Sequence, residues 1–458
     1  MSDMTMPNGL VPLLVSSERQ DGVALEAAAL ADYLDIHSEV RAADLAAALM
    51  RARPVRRHRA LIIAGDRDHT LGALQALATS RPHPDVVVAS KPAINRQIGF
   101  VFPGQGSQRA GMGAALYEAS TVFRARVDDV DRDFQATVGL SPLRYLLDDN
   151  AADEVTLVQP AIFLLTLGLY EMWREAGVVP AATIGHSQGE IAAAAVSGLM
   201  SVADAIRVVT MRAKEIRKLD VAGLMNHTMG VIGQTRDQVE DLLARCSGWA
   251  ELAVVNSGHI HAISGEKDAV VEILARAEAA GAFARRIKVD YPGHTSYVND
   301  FREEFGGANA GLTATEFLPG TLPCFGATLG NRITPAEPLN DYWFWNLRNT
   351  VRFDLAIINA VRAGVDTFVE MSEHPTMLLS IQENVYAAEV TAPERTVTVG
   401  TAKRGTDPLT EFSANLARVI VDDAGYTWPQ TGDGLPLPDF PHTRFDTSTY
   451  WAPDMVRK

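Results

Sequence analysis

The chain has 458 residues, 47% apolar and 21% charged, with a formal net charge of −15 and two cysteines. That composition supports a sizeable core and suggests about two to four domains, while the acidic balance excludes general nucleic-acid binding. Cys246 and Cys324 show no metal-ligand spacing, no stretch reads as a membrane span, and Met1–Pro7 reads as an exposed tail without a leader, so a reduced, cytoplasmic protein without metal is expected.

Residues 10–95 read as a small α/β unit. Val11–Val15, Ala60–Ala64 and Val86–Val88 are strand-like, and Val23–Leu34, Ala42–Met50 and Thr70–Ala78 have helical periods. The basic run Arg51–Arg59, broken by Pro54, reads as a solvated loop, with a polyanion site as the lesser reading. Next, the strand Ile98–Phe102 runs into Pro103-Gly104-Gln105-Gly106-Ser107-Gln108. This Gly-rich turn lets a ligand approach the backbone, and it lacks the lysine of a phosphate loop. An apolar helical stretch over Pro160–Leu169 follows.

The strand Ala182–Gly185 then meets Gly185-His186-Ser187-Gln188-Gly189-Glu190 and an alanine-rich helix. This is the strand-turn-helix pattern of a nucleophile elbow, G-x-S-x-G. Such a turn lifts the serine hydroxyl clear of the sheet and leaves the next backbone N–H facing a substrate oxygen. By itself it leaves hydrolase and transferase open, and chance occurrence as well. Ser201 caps a helix from Val202 to about Leu219, with Arg212 among apolar neighbours, where snorkelling, pairing or carboxylate binding are all open.

From Thr228 to Val289 the pieces Met229–Ile232, Gln238–Arg245, Leu252–Asn256, His261–Ser264, Ala269–Ala280 and Phe283–Val289 follow a β-α-β-β-α-β order. That order is the ferredoxin-like motif, read here as an insert. It ends at Tyr291-Pro292-Gly293-His294, whose histidine gains interest because a serine nucleophile requires a base. Cys324–Ala327, Asp341–Arg348, a helix over Asp354–Ala363, the strand Thr367–Glu370 and a helix over Leu409–Val421 follow. Trp428–Thr443 reads as an extended surface tail.

Taken together, Phe100–Gln108, Gly185–Glu190, Arg212, Tyr291–His294, Tyr342-Trp343 with Asn346–Arg348 and Val351–Phe353, and Phe368–Pro375 resemble the acyltransferase domain of modular type I polyketide synthases. More broadly they resemble the malonyl-CoA:acyl-carrier-protein transacylases. The resemblance implies an α/β fold: an α/β-hydrolase-like large subdomain (97–226 and 292–396) with a ferredoxin-like insert (227–291). Before it stands a ketosynthase-to-acyltransferase adaptor (1–96). After it comes a linker (397–458) packing back on that adaptor, with Leu435 through Trp451 similar to the family's returning tail.

By the same resemblance Ser187 is the nucleophile and His294 the general base. The backbone N–H groups of Gln105 and Gln188 form the oxyanion hole, and Arg212 with His186 binds the substrate carboxylate. Tyr291, Pro292, Gly293 and Gln188 tune selectivity. The sequence Tyr-Pro-Gly-His matches neither common family tetrapeptide, and Gly293 is expected to free volume beside the pocket, favouring a C2-branched malonyl unit. A carbonyl in the Glu370–His374 segment is expected to orient His294, although Glu373 departs from the family's proline. The implied substrates are an acyl-CoA and the phosphopantetheine of an acyl carrier protein, with no permanent cofactor. The implied neighbour is a ketosynthase of the same synthase, without nucleic acid or membrane. A malonyl-specific transacylase, an α/β-hydrolase, a proofreading acyl hydrolase and a docking scaffold are the alternatives.

Overall fold

The computed structural model describes residues 5–221, 226–428 and 436–444. The chain divides into two compact units, one running to Asn95 and resuming at Ile420, the other Arg96–Val419.

The smaller unit is built on a three-stranded antiparallel sheet of Val11–Ser17, His58–Ala64 and Val86–Val88, with the middle strand second in the chain. The helices Gln20–Ile36, Ala42–Ala52 and Arg67–Ala78 bury Leu30, Leu34, Leu45 and Leu74 against Leu13, Val15 and Ile62. Residues 53–57 of the basic run form the expected loop, with Arg51 and Arg57 exposed, but two of its cations are tied down. Arg53 is half-buried and paired with Glu26, and Arg59 is buried in the central strand with its guanidinium on the Asp423 carbonyl at 2.7 Å. Both cations meet oxygens of this same unit, as a buried charge requires.

The described part of the tail lies on the first helix: Tyr33 donates to the Pro438 carbonyl at 2.9 Å, Arg444 N–H donates to Glu26 at 2.7 Å, and Leu437 and Phe440 pack on the core. Leu435 and residues 445–451 of the expected tail, and residues 1–4 of the opening, fall outside the described residues. His69, His83 and Asp85 cluster in this unit. Gly65 N–H is donated to His69 Nδ1, so Nε2 carries the proton and donates it to Asp85 at 2.9 Å, an ordinary hydrogen-bonded pair.

The larger unit holds a six-stranded sheet in the order Asn331–Arg332, Cys324–Gly326, Ala182–Gly185, Ile98–Phe102, Thr367–Glu370, Val397–Gly400. Every neighbouring pair is parallel except the first. Ile98–Phe102 and Ala182–Gly185 are buried along their whole length, as in a sheet covered on both faces. Val397–Gly400 completes this sheet, so the larger unit continues past the expected linker boundary at 397. The four-residue strand carried little periodicity of its own, and only its partner Thr367–Glu370 defines it.

The helix Val155–Glu175 is, by length and composition, apolar enough to cross a membrane, which corrects the expectation that no stretch qualifies; 72% of its most apolar window is buried inside the fold. It serves as a core helix covering the sheet.

Within this unit the chain from His227 to Ile287 forms an antiparallel sheet ordered Ala250–Val255, His261–Glu266, His227–Ile232, Ala284–Ile287, with helices Arg236–Ala244 and Lys267–Ala279. Val239, Val270, Ile273 and Ala277 of the helices fill a small core with Ile232 and Ile263. This is the expected ferredoxin-like insert. A fifth strand not anticipated, Val351–Arg352, adds in parallel beside Ala250–Val255 and ties the insert to the rest of the unit.

Candidate active site

The sharp turn after Ala182–Gly185 places Ser187 at φ 52°, the left-handed region that side chains avoid. Its flanking glycines are obligatory. A Cβ on Gly185 would stand 2.3 Å from the Glu190 Cα, and one on Gly189 2.1 Å from the Phe102 carbonyl oxygen. Strain at one residue thus exposes the hydroxyl, and the close approach of the next helix to the neighbouring strand holds it there.

Ser187 Oγ lies 2.8 Å from His294 Nε2. His294, also at positive φ, is fixed twice: its backbone N–H donates to the Leu347 carbonyl at 2.7 Å, and its Nδ1 faces the Asn349 carbonyl at 3.0 Å. A carbonyl only accepts, so Nδ1 carries the proton and the Nε2 lone pair points at the serine. Burial, helped by the Arg212 charge, pushes the imidazole down to about 3, keeping it neutral and able to take a proton.

Arg212 is buried, with Nη2 3.3 Å from Ser187 Oγ and Nη1 hydrogen-bonded to Asn346 Oδ1. Asn346 also donates to the Ser187 carbonyl and to Thr328 Oγ1, each at 3.0 Å. A guanidinium this deep, with no carboxylate hydrogen-bonded to it among the described residues, is a ready receptor for an anionic group brought to the serine. The backbone N–H groups of Gln105 and Gln188 have no acceptor among the described residues. They are therefore available to an oxyanion. A cleft of about 590 Å³ opens beside Gln105, walled by Val155, Val158, Ile216 and Tyr291 and by the charged Asp153, Arg286 and Lys288; Ser187, His294 and Arg212 do not line it.

Residues 99–424 match the family model described as an acyl transferase domain. The chain belongs to that family. This acyl transferase domain is 34% identical to the acyltransferase domain from module 8 of the salinomycin polyketide synthase, with a TM-score of 0.81 over 93% of this chain and 99% of that one. It is 35% identical, over 96% of its length, to mycoketide-CoA synthase of Mycobacterium tuberculosis, and 33% identical over 97% to erythronolide synthase EryA3 of Saccharopolyspora erythraea. The chain spans only 10% and 14% of those two proteins. A third solved relative, the acyl transferase domain of SpnD in complex with 2-(pent-4-yn-1-yl)malonyl, is 27% identical with a TM-score of 0.77 over 91% of this chain.

In the acyl transferase domain the segment expected to orient His294 does something else. Glu370 accepts from Thr376 N–H and Met377 N–H, each at 2.9 Å, and from Ser372 Oγ at 3.0 Å. Glu373 pairs with Arg109 at 2.9 Å and Arg404 at 3.1 Å. Arg404 also donates to the Ser107 carbonyl at 2.7 Å, so the residue that replaces the family's proline helps anchor the Gln105 loop. The orienting carbonyl is that of Asn349, one residue beyond the motif Asn346–Arg348; a backbone carbonyl leaves no mark in side-chain identity.

His186 is turned to Asn256, Nε2 to Oδ1 at 2.9 Å, with its ring edge-on to Phe353. Burial pushes it down to about 4. Glu190, the last motif residue, is buried, accepts from Tyr342 and from Thr328 N–H, and is pushed up to about 7 by burial. It ties the elbow helix to two distant segments, a role that the motif gave no sign of.

Gly293 does not free volume. A Cβ there would meet the Tyr291 ring at 2.8 Å and Leu347 at 3.5 Å, so the space is already filled by Tyr291. Pro292 sets the turn between them, its carbonyl accepting from Thr295 Oγ1 at 2.6 Å. Gln188 is buried, and its side chain donates to the Gln159 carbonyl at 3.4 Å.

Proposed function

We propose that this domain moves a malonyl-type acyl unit from coenzyme A to the phosphopantetheine thiol of an acyl carrier protein, as one segment of a cytoplasmic polyketide synthase. The observation that carries the reading is the buried Arg212 guanidinium 3.3 Å from the Ser187 hydroxyl. A hydrolase of simple esters has no use for a fixed cation there, whereas an acyl group bearing a carboxylate does.

Ser187 Oγ attacks the thioester carbonyl while His294 Nε2 takes its proton. The oxyanion is held by the N–H groups of Gln105 and Gln188; losing one such donor typically costs ~100- to 1,000-fold in rate. Collapse breaks the C–S bond, and the departing thiolate receives the proton from His294, leaving an acyl-O-serine. The phosphopantetheine thiol then gives its proton to His294 and attacks the ester, and Ser187 leaves with that proton. His186 lines the carboxylate side, held by Asn256.

The acyl unit is C2-branched, methyl or larger. The support is the branched malonyl group named for the SpnD relative, together with Val155, Val158 and Ile216 beside Tyr291 in the cleft next to Gln105. Tyr291, Pro292, Gly293 and Gln188 tune that choice by fixing where the Tyr291 ring stands. Residues 1–96 act as the adaptor to a ketosynthase, on which the tail folds back.

The test incubates the purified chain with malonyl-, methylmalonyl- and ethylmalonyl-CoA, reads intact mass, and then adds a holo acyl carrier protein. The expected result is a branched acyl adduct that is absent from Ser187→Ala and passes to the carrier. Release as free acid would make the domain a hydrolase, and preference for unbranched malonyl would refute the branch.

A further inference from the structure

Beside the serine, outside the nucleophile–base pair, four side chains from four parts of the chain meet. Gln159, in the second turn of the helix Val155–Glu175, is fully buried. Its Nε2 donates to Gln105 Oε1 at 2.9 Å and to the Tyr291 hydroxyl at 3.3 Å. Tyr291 donates its own proton to the same Gln105 oxygen at 2.8 Å. Arg212 stands close enough to Tyr291 for its charge to act on the hydroxyl.

Both Gln159 amide protons are used, Tyr291 passes one proton on, and Gln105 Oε1 accepts two. The Gln105 side chain is thereby held from two sides, and its backbone N–H is one of the two with no acceptor among the described residues. A buried amide is costly where an apolar side chain of the same length would fit, and Gln159 Oε1 has no hydrogen-bond partner among the described residues. The stability this forgoes is explained if the amide positions something.

We propose that Gln159 and Tyr291 are positioning residues that hold the Gln105 loop, and so its oxyanion-stabilising N–H, in place before the substrate arrives. The inference rests on the acyl-serine reading above. It separates two effects that a pocket mutation would otherwise blur. Loss of Arg212 harms only acyl groups that carry a carboxylate. Loss of the Gln159 or Tyr291 bonds harms the chemical step for every acyl group, because every thioester develops the same oxyanion.

The experiment uses the full chain and three variants, Gln159→Met, Tyr291→Phe and the two combined. It measures the rate constant and KM of Ser187 acylation with methylmalonyl-CoA and with propionyl-CoA. Each single variant is expected to lower the rate constant about tenfold for both substrates, the size of one lost hydrogen bond at a charged or reacting group. KM stays within about twofold, and the double variant falls no further than the worse single one, since both bonds end on the same oxygen.

Gln159→Glu adds a readout that a packing role would not move. Its protonated carboxyl can donate to Gln105 and its ionised form cannot, so its rate should fall with rising pH relative to Gln159→Met. Wild-type rates in Gln159→Met and Tyr291→Phe, simple additivity, or a loss confined to methylmalonyl-CoA would each overturn the proposal. If Gln159→Met fails to fold, Tyr291→Phe decides alone. Wild-type protein that takes no acyl group on Ser187 would remove the functional reading and this inference together; normal acylation with indifferent variants removes only the inference.

Discussion

The two sheets of the larger unit contribute to the site in opposite ways. The parallel sheet does so through the loops at its carboxyl ends: Ile98–Phe102 leads into Gln105, Ala182–Gly185 into Ser187, and Thr367–Glu370 into Glu373. Parallel strands deliver all such loops to one edge, where ligands of open α/β sheets bind. The antiparallel insert sends successive strand ends to opposite edges; its Asn256 hairpin holds His186, and Arg286 and Ile287 of its last strand line the cleft beside Gln105. Its larger contribution comes from the chain on either side of it. The helix Val202–Val221 before it carries Arg212, and the segment after Ala284–Ile287 carries Tyr291 and His294. The insert thus interrupts the chain between Arg212 and His294 without devoting its own core to the site.

The largest expected effect breaks the entry side of that comparison. Arg212→Ala should lower acylation by malonyl-type CoA thioesters about 100-fold, the worth of a charge-assisted pair, while propionyl-CoA keeps its slower rate. Rate constants for the two substrates decide it; equal losses would deny Arg212 its role.

The exit side is sharpened by pH. His294 and His186 are held at about 3 and about 4, below the ordinary histidine value of 6.5. The unfolded chain therefore takes up protons that the folded one refuses. The stability these histidines contribute is complete above about pH 6.5 and is lost as pH falls toward the folded values. Glu190 and Glu370, held at about 7 against an ordinary 4.5, act in reverse: their contribution is complete below 4.5 and is lost as pH rises to about 7. Between pH 5 and 7 the two sets oppose each other. Replacing His294 by Phe should remove about 2 kcal/mol of acid destabilisation between pH 7 and 5. Glu190→Gln should make the chain more acid-sensitive over the same range. Chemical denaturation at both pH values reads this, and parallel pH slopes in all three proteins would contradict it.

The smallest effect belongs to the parallel sheet's loops. Glu373→Ala frees Arg109 and Arg404 and loosens one anchor of the Gln105 loop. Because both arginines are partly exposed, the acylation rate should fall no more than about fivefold. A larger loss would make this clamp, rather than the buried Gln159–Tyr291 contacts, the main support of the loop.

Much of this site was written locally. Strand, glycines, serine and alanine-rich helix are contiguous from Ala182 to Val196, and the turn they form depends on nothing but steric exclusion of a Cβ at Gly185 and Gly189. The β-α-β-β-α-β order of the insert was legible for the same reason, since each element has its own period and its own turn. The positions of Ser187, His294, Arg212 and Gln105 were legible through their resemblance to a family. The sequence alone therefore determined the α/β class and the elbow, and singled out side chains that the fold brings together.

The tertiary structure decided the rest, because the deciding partner lay far away in the chain. The Asn349 carbonyl that sets the histidine tautomer is 55 residues from His294. Gln159 meets Gln105 across 54 residues, and Glu190 meets Tyr342 across 152. Backbone carbonyls, buried amides and carboxyls that accept from distant N–H groups have no periodicity and no motif. What each does follows from the group opposite it, and only the packed fold brings that group into place.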